Sequence, residues 1–384
     1  MLSLSGRVSG YRRLRTPQED ALPFMPGIPA LDAFPWPVWR RLSERAMREG
    51  DVLDLSYRHA VGEPELRQAI ATHVRASRGV RCGADQVIVT DGTQHSLSLC
   101  AQLLADEGQC AWIEHPGYGG ALVAFEQAAL QVWPVPVDAQ GLNPAPDDWQ
   151  LHRPRLIYTT PSHQYPMGSV LSLQRRLALI VQARAVGAWI LEDDYDSEFR
   201  HEGPPLAAMQ GLVDGAPVAY LGTFSKSMFP ALRMGFIVLP EAVAAQAQGV
   251  VGMMARRGQV AAQRALAAFI DEGHFTSHLR RMRRLYAARQ LALRDALAAH
   301  WPWPHEVLGG QAGMHLALQW QEAPPALALA EQAMRIGLSP RPLSAYGTGG
   351  AEVPHGLVMG YANTPEADMA RHVKSLAVLA RSLR

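Results

Sequence analysis

A lysine just past an apolar run, with a hydroxyl close by on its N-terminal side and an arginine seven residues further on, is equipped for amine chemistry. Leu221-Gly222-Thr223-Phe224-Ser225-Lys226, followed by Arg233, has that form. Apolar surroundings desolvate an ammonium and push its pKa down, leaving an amine able to form an imine with an aldehyde. Taken alone, the run also describes an ordinary loop lysine. A second apolar run ends in Glu192-Asp193-Asp194-Tyr195-Asp196. A carboxylate such as Asp193 at the end of a buried strand can keep a pyridine nitrogen protonated, which makes the ring an electron sink, and the Tyr195 phenol can hydrogen-bond a 3-oxygen on that ring. The competing reading is a solvated acidic turn. Thr90-Asp91-Gly92-Thr93-Gln94 follows a third run and opens a helical pattern. Gly92 lets the backbone approach an anion, the N–H groups of Thr93 and Gln94 can cradle phosphate, and Ser225 and Arg233 add a hydroxyl and a bidentate cation. Tyr118, in Pro116-Gly117-Tyr118, is either a ring to stack on a flat group or a satisfied turn residue. His163, in Thr160-Pro161-Ser162-His163-Gln164, is either a supporting polar group or surface.

The elements that must position these residues alternate. Short runs rich in β-branched residues at 86–90, 111–114, 130–135, 155–159, 188–192 and 218–221 are separated by helical spacing at 66–71, 96–104 and 173–185. Strands apolar on both faces and alternating with helices imply a mostly parallel sheet covered on two sides, with its chemistry at the carboxyl edge. From about residue 256 the texture changes: a helix over 275–297, the break Trp301-Pro302-Trp303-Pro304, strands near 313–318 and 357–361, and a closing helix from Pro365 suggest a smaller α+β unit. The expected division is an extended N-terminal segment over 1–45, dense in proline, a large domain over 46–285 and a small domain over 286–384.

Composition narrows the class. The 384 residues are 48% apolar and 18% charged with a net charge of +1, which excludes disorder as the main state and gives no broad attraction to nucleic acid. There is no apolar stretch of spanning length, and three scattered cysteines suit neither a disulfide framework nor a zinc site, so a reducing cytoplasm is expected and no metal. Arg280, Arg281, Arg283 and Arg284 spread around a helix and read as a solvated face pairing with acids such as Asp271 and Glu272.

Taken together, Gly92-Thr93-Gln94, Pro116-Gly117-Tyr118, Thr160-Pro161-Ser162-His163-Gln164, Glu192-Asp193-Asp194-Tyr195, Gly222-Thr223-Phe224-Ser225-Lys226 and Arg233 resemble a fold-type I pyridoxal-phosphate aminotransferase, and more narrowly the aminotransferase-like domain of the MocR/GabR group of bacterial regulators. The resemblance runs from about residue 22 to the end of the chain. It implies an α/β fold with a seven-stranded, mostly parallel sheet, a smaller domain, and a homodimer with shared active sites. It makes Lys226 the Schiff-base lysine, Asp193 the pyridinium partner and Tyr195 the 3-oxygen partner. Gly92, Thr93, Gln94, Thr223, Ser225 and Arg233 fall at cofactor and phosphate positions, with Tyr118 and His163 beside the ring. Tyr57 matches a tyrosine that reaches across the dimer to the phosphate. Two positions depart from the ordinary aminotransferase pattern. Tyr165-Pro166-Met167-Gly168 stands where Asn-Pro-Thr-Gly is usual, and Leu357-Val358-Met359 lacks the arginine that binds a substrate carboxylate, for which Arg341 is the substitute. A basic residue that would bind a second acidic group is also missing at Gly120.

The regulators place a helix-turn-helix ahead of this domain. The residues ahead of the match show no recognition-helix pattern, and Arg12, Arg13 and Arg15 read as linker. Two functions follow: an aminotransferase acting on a small amino acid or amine, or an effector-sensing module that uses the same amine exchange with little turnover.

Overall fold

In the computed structural model the described residues are 18, 21–201, 203, 206–254, 258–321, 324–348 and 352–383. The linker reading at Arg12, Arg13 and Arg15 lies outside them. Eight strands build the larger sheet: β1 (Val87–Thr90), β2 (Cys110–His115), β3 (Gln131–Asp138), β4 (Gly141–Leu142), β5 (Pro154–Thr159), β6 (Trp189–Asp194), β7 (Val218–Thr223) and β8 (Gly235–Val238). Their order across the sheet is β1-β8-β7-β6-β5-β2-β3-β4. The neighbours from β7 to β3 pair in parallel, while β8 runs antiparallel to both β1 and β7.

Alternation along the strands produces two buried faces. Ala111, Ile113, Leu156 and Tyr158 pack on one side with Leu97 and Phe125, and Trp112, Ile157, Ile190 and Val218 pack on the other with Leu179 and Ile180. The resemblance implied seven strands, and the eighth, β4, is a two-residue return. Asp138 causes it: its Oδ1 accepts from Gln140 N at 2.7 Å and its Oδ2 from Asn143 Nδ2 at 3.1 Å, a side-chain turn that folds the chain back on β3.

The second sheet, β11-β12-β10-β9, is antiparallel and comprises β9 (Glu306–Leu308), β10 (His315–Gln319), β11 (Arg341–Pro342) and β12 (Gly356–Gly360). It is joined to the first by the helix His274–His300, which runs unbroken through position 285, and is covered by the closing helix Glu366–Ser382.

The N-terminal segment differs from the extended chain expected over 1–45. From Trp36 it is a helix, Trp36–Arg48, that buries Trp39, Leu42 and Ala46. Pro37 sits within the first turn, where an N–H has no intrahelical acceptor and a fixed φ suits the helix, so proline starts this element instead of forbidding it. Ahead of it, the backbone of Phe24 bonds Gly360 and the side chain of Thr364, which ties the segment to the second sheet. The four arginines at 280–284 are exposed as expected. Their expected acidic partner Glu272 pairs instead with Arg45, and Arg283 donates to the carbonyl of Glu198. No helix among the described residues is long and apolar enough to cross a membrane.

Candidate active site

A cavity of about 290 Å³ opens at the carboxyl edge of the parallel strands. Five segments that follow strands reach it: Gly92 after β1, Tyr118 after β2, Thr160 and Tyr165 after β5, Tyr195 and Asp196 after β6, and Ser225 and Lys226 after β7. The N-terminal segment contributes Pro26 and Gly27, and the start of β10, an inner strand of the second sheet, Met314 and His315. Of the residues singled out from sequence, Gly92, Thr93, Gln94, Tyr118, Asp193, Tyr195, Thr223, Ser225, Lys226 and Arg233 all line this one cavity.

Lys226 belongs to a four-residue helix, Phe224–Ser227, capped by Thr223, whose Oγ1 accepts from Ser225 N at 3.2 Å. The buried ring of Phe224 anchors that turn, which leaves Lys226 to extend inward, where Nζ donates to the carbonyl of Gly27 at 2.8 Å. Asp193, near the end of β6, is buried; Oδ2 accepts from Tyr158 Oη at 2.8 Å, whereas Oδ1 is buried with no hydrogen-bond partner among the described residues. Burial pushes its pKa up to about 7; the Tyr158 hydrogen bond opposes this, and the nearby charges of Asp194 and Glu114 add to it. A carboxylate oxygen in that position calls for a proton-bearing partner.

At the other end, Gly92 adopts φ +101° and starts the helix Thr93–Leu104, whose first N–H groups have no intrahelical acceptor. A Cβ on Gly92 would lie 3.9 Å from Arg233 Nη1 and 4.0 Å from Ser225 Oγ, so glycine, hydroxyl, guanidinium and helix N-terminus share one corner. That corner suits a phosphate dianion, and the orphaned Asp193 oxygen suits the protonated nitrogen of a ring.

The wall near Tyr118 explains another residue. A Cβ at Gly120 would come 2.4 Å from the Tyr118 ring and 2.6 Å from Gln94 Oε1, so no side chain fits there. Gln94 Nε2 also donates to the Gly120 carbonyl at 3.0 Å.

Three predicted residues lie off the lining. His163 stands behind it, fully buried, with Nδ1 2.9 Å from Asp196 Oδ2 and 3.0 Å from the Tyr195 hydroxyl. Arg341 sits on β11 opposite Val358, and Tyr57 is 79% exposed beside the cleft between the N-terminal helix and Arg233. Among the described residues, His163, Asp196 and His315 are the grouping whose potential ligand atoms, one each, fall within 4.8 Å of one another, although His163 Nδ1 is engaged by Asp196.

The sequence reading missed Tyr158, Thr160, Asp196 and His315 as site residues. Thr160 and Asp196 lie inside motifs already quoted, one residue from a strand end or a named tyrosine, so their spacing could have found them. Gly27 and His315 arrive from remote parts of the chain and carry no local signal.

The sequence profile described as Aminotransferase class I and II matches residues 35–374. The chain is 40% identical, over 97% of its length and 76% of the relative's, to the "Probable rhizopine catabolism regulatory protein MocR" of Rhizobium meliloti. It is 37% identical over 78% of its length to the "Uncharacterized HTH-type transcriptional regulator YhdI" of Bacillus subtilis, of which it spans 63%. Among solved structures it is similar to LysN, the alpha-aminoadipate aminotransferase of Thermus thermophilus complexed with N-(5'-phosphopyridoxyl)-L-leucine, at TM-score 0.82 and 28% identity over 94% of this chain and 92% of that one.

Proposed function

The chain belongs to the aminotransferase class I and II family, and on that premise we propose that its cavity binds pyridoxal 5'-phosphate and exchanges the amine of a small amino acid or other primary amine at Lys226. The observation that carries the reading is the convergence, in one cavity, of Lys226, an Asp193 Oδ1 with no hydrogen-bond partner among the described residues, and the Gly92–Ser225–Arg233 corner. When bound, the cofactor supplies an aldehyde and an electron-withdrawing ring. Lys226 would provide the amine that holds it and an Nζ able to carry a proton to and from substrate. Asp193 would keep a proton on the ring nitrogen. Arg233, Ser225, Thr223 and the N–H groups after Gly92 would hold the phosphate. Tyr118 would stack on the ring, and Tyr195 would bond its 3-oxygen. The proposed large domain, 46–285, carries these groups, and the small domain, 286–384, contributes Met314 and His315, with Arg341, on β11, proposed to meet a substrate carboxylate.

The cofactor site is proposed to be completed by a second copy of the chain, with Tyr57 reaching the partner's phosphate corner. The apolar rim of Val52, Leu55 and Tyr57, each about four-fifths exposed or more, and the 1080 Å³ cleft beside Arg233 support that pairing. The three cysteines are free and two of them are buried, which fits a reducing cytoplasm.

A sensing role is the second reading, favoured by 40% identity to a regulatory protein over 97% of the chain. The two diverge in product. Protein loaded with pyridoxal phosphate is mixed with amino acids or with amines lacking a carboxylate, plus a keto-acid acceptor. An enzyme forms keto or aldehyde product over many turnovers. A sensor changes its visible spectrum and stops at one equivalent.

A further inference from the structure

We propose that His163 is a positioning residue for Tyr195, holding the phenol so that its hydroxyl can turn toward the ring oxygen of the bound cofactor; the proposal rests on the cofactor reading given above. His163 is 1% exposed. A carboxylate only accepts, so the 2.9 Å contact to Asp196 Oδ2 places the hydrogen of the imidazole on Nδ1. The Tyr195 hydroxyl donates to the backbone carbonyl of His163 at 2.9 Å, and its oxygen lies 3.0 Å from the same Nδ1. One residue therefore meets the phenol at two atoms, an acceptor and a donor. When the phenol hydrogen swings from the carbonyl to the cavity, the single Nδ1–H, bonded to Asp196 Oδ2 at 2.9 Å, is 3.0 Å from the oxygen it leaves behind and can be shared between the two, so the turned phenol keeps a bifurcated hydrogen bond.

The imidazole has no room to swing away. A Cβ on Gly313 would lie 2.2 Å from its Cε1 and 2.5 Å from Asp196 Oδ2, and one on Gly168 would lie 3.1 Å from Nε2. The His315 ring is centred 4.8 Å away, with its Nε2 3.1 Å from the Pro166 carbonyl. Titratable groups face this cluster from each element around it: Asp193, Asp196 and Tyr195 at and after β6, Tyr165 after β5, Glu114 on β2, His315 on β10 and Lys226 after β7. Burial, with Asp196, Tyr165 and Asp193 adding to it, holds the Tyr195 phenol well above the usual tyrosine range, so it remains a donor.

The test is a pH titration of the visible absorbance of pyridoxal phosphate-loaded protein. His163→Phe keeps bulk and removes the donor. A ring oxygen that receives a weaker hydrogen bond leaves the chromophore holding its proton to higher pH, so the midpoint is expected to rise by about one unit. His163→Leu gives the same reading if the phenylalanine variant does not fold. His163→Asn, which returns an N–H near the Nδ1 position, moves the midpoint back toward wild type, and in a Tyr195→Phe background the His163 substitutions shift nothing further. A His163→Phe or His163→Leu protein that loads cofactor and titrates with the wild-type midpoint overturns the proposal, including the case where only its melting temperature falls. Wild-type protein that takes up no cofactor overturns the cofactor reading and this proposal with it.

Discussion

Asp193 is buried, Tyr158 Oη is the group among the described residues that donates to it, and without a cofactor it holds its proton up to about pH 7. Its pKa, pushed up to about 7 by burial, lies above its value in the unfolded chain, so between about pH 4 and 7 the folded state binds the extra proton and stability falls as pH rises. Glu192 and Glu198, also raised to about 7 by burial, act in the same direction. The cofactor-free protein should therefore melt lower at pH 8 than at pH 5. Asp193→Asn should raise the pH 8 midpoint by about 2–4 °C and leave the pH 5 midpoint nearly unchanged. With cofactor the sign reverses, because the carboxylate then pairs with a protonated ring: Asp193→Asn should weaken cofactor binding by about tenfold or more, read by equilibrium dialysis. Gly120→Ala tests the opposite wall. Its Cβ has no space beside Tyr118 and Gln94, so the variant should fold yet bind cofactor about tenfold more weakly.

At the scale of elements, the strands ending at Thr90, Thr159, Asp194 and Thr223 were legible because short, continuously apolar, β-branched runs followed by turn residues mark them directly. The lysine turn, the acidic turn and the glycine before the Thr93 helix follow from those ends, which is why ten predicted residues share one cavity. The helix Trp36–Arg48 was not legible, since its prolines lie in the one turn that tolerates them. Nor was the support under β6. Arg78, at the last turn of the helix Pro64–Arg78, donates to Asp194 Oδ2 at 2.7 Å and to Ser162 Oγ at 2.7 Å, and Tyr220 Oη meets the same Asp194 oxygen. Partners 116 residues apart leave no pattern in sequence. Arg78→Met should strand a buried Asp194 charge and destabilise the protein by about 3–5 kcal/mol in urea unfolding at pH 8, with a smaller loss in the Arg78→Met, Asp194→Asn double variant.

At the scale of the whole molecule, the exposed run Val52, Leu53 and Leu55 beside the large cleft is a surface that water leaves poorly satisfied. Val52→Asp with Leu55→Asp should shift the protein toward monomer in sedimentation velocity and weaken cofactor binding along with it. Tyr57→Phe should leave assembly intact and weaken the cofactor alone. An assembly unchanged by the two aspartates would remove the second copy from the account.

The most direct measurement of the central claim is borohydride reduction of pyridoxal phosphate-loaded protein followed by mass mapping of its peptides. The account predicts one pyridoxyl group per chain, on the peptide holding Lys226, and none in Lys226→Ala. A reduced adduct on Lys374 or the N-terminal amine with Lys226 unmodified, or no adduct on protein that has bound the cofactor, would contradict it.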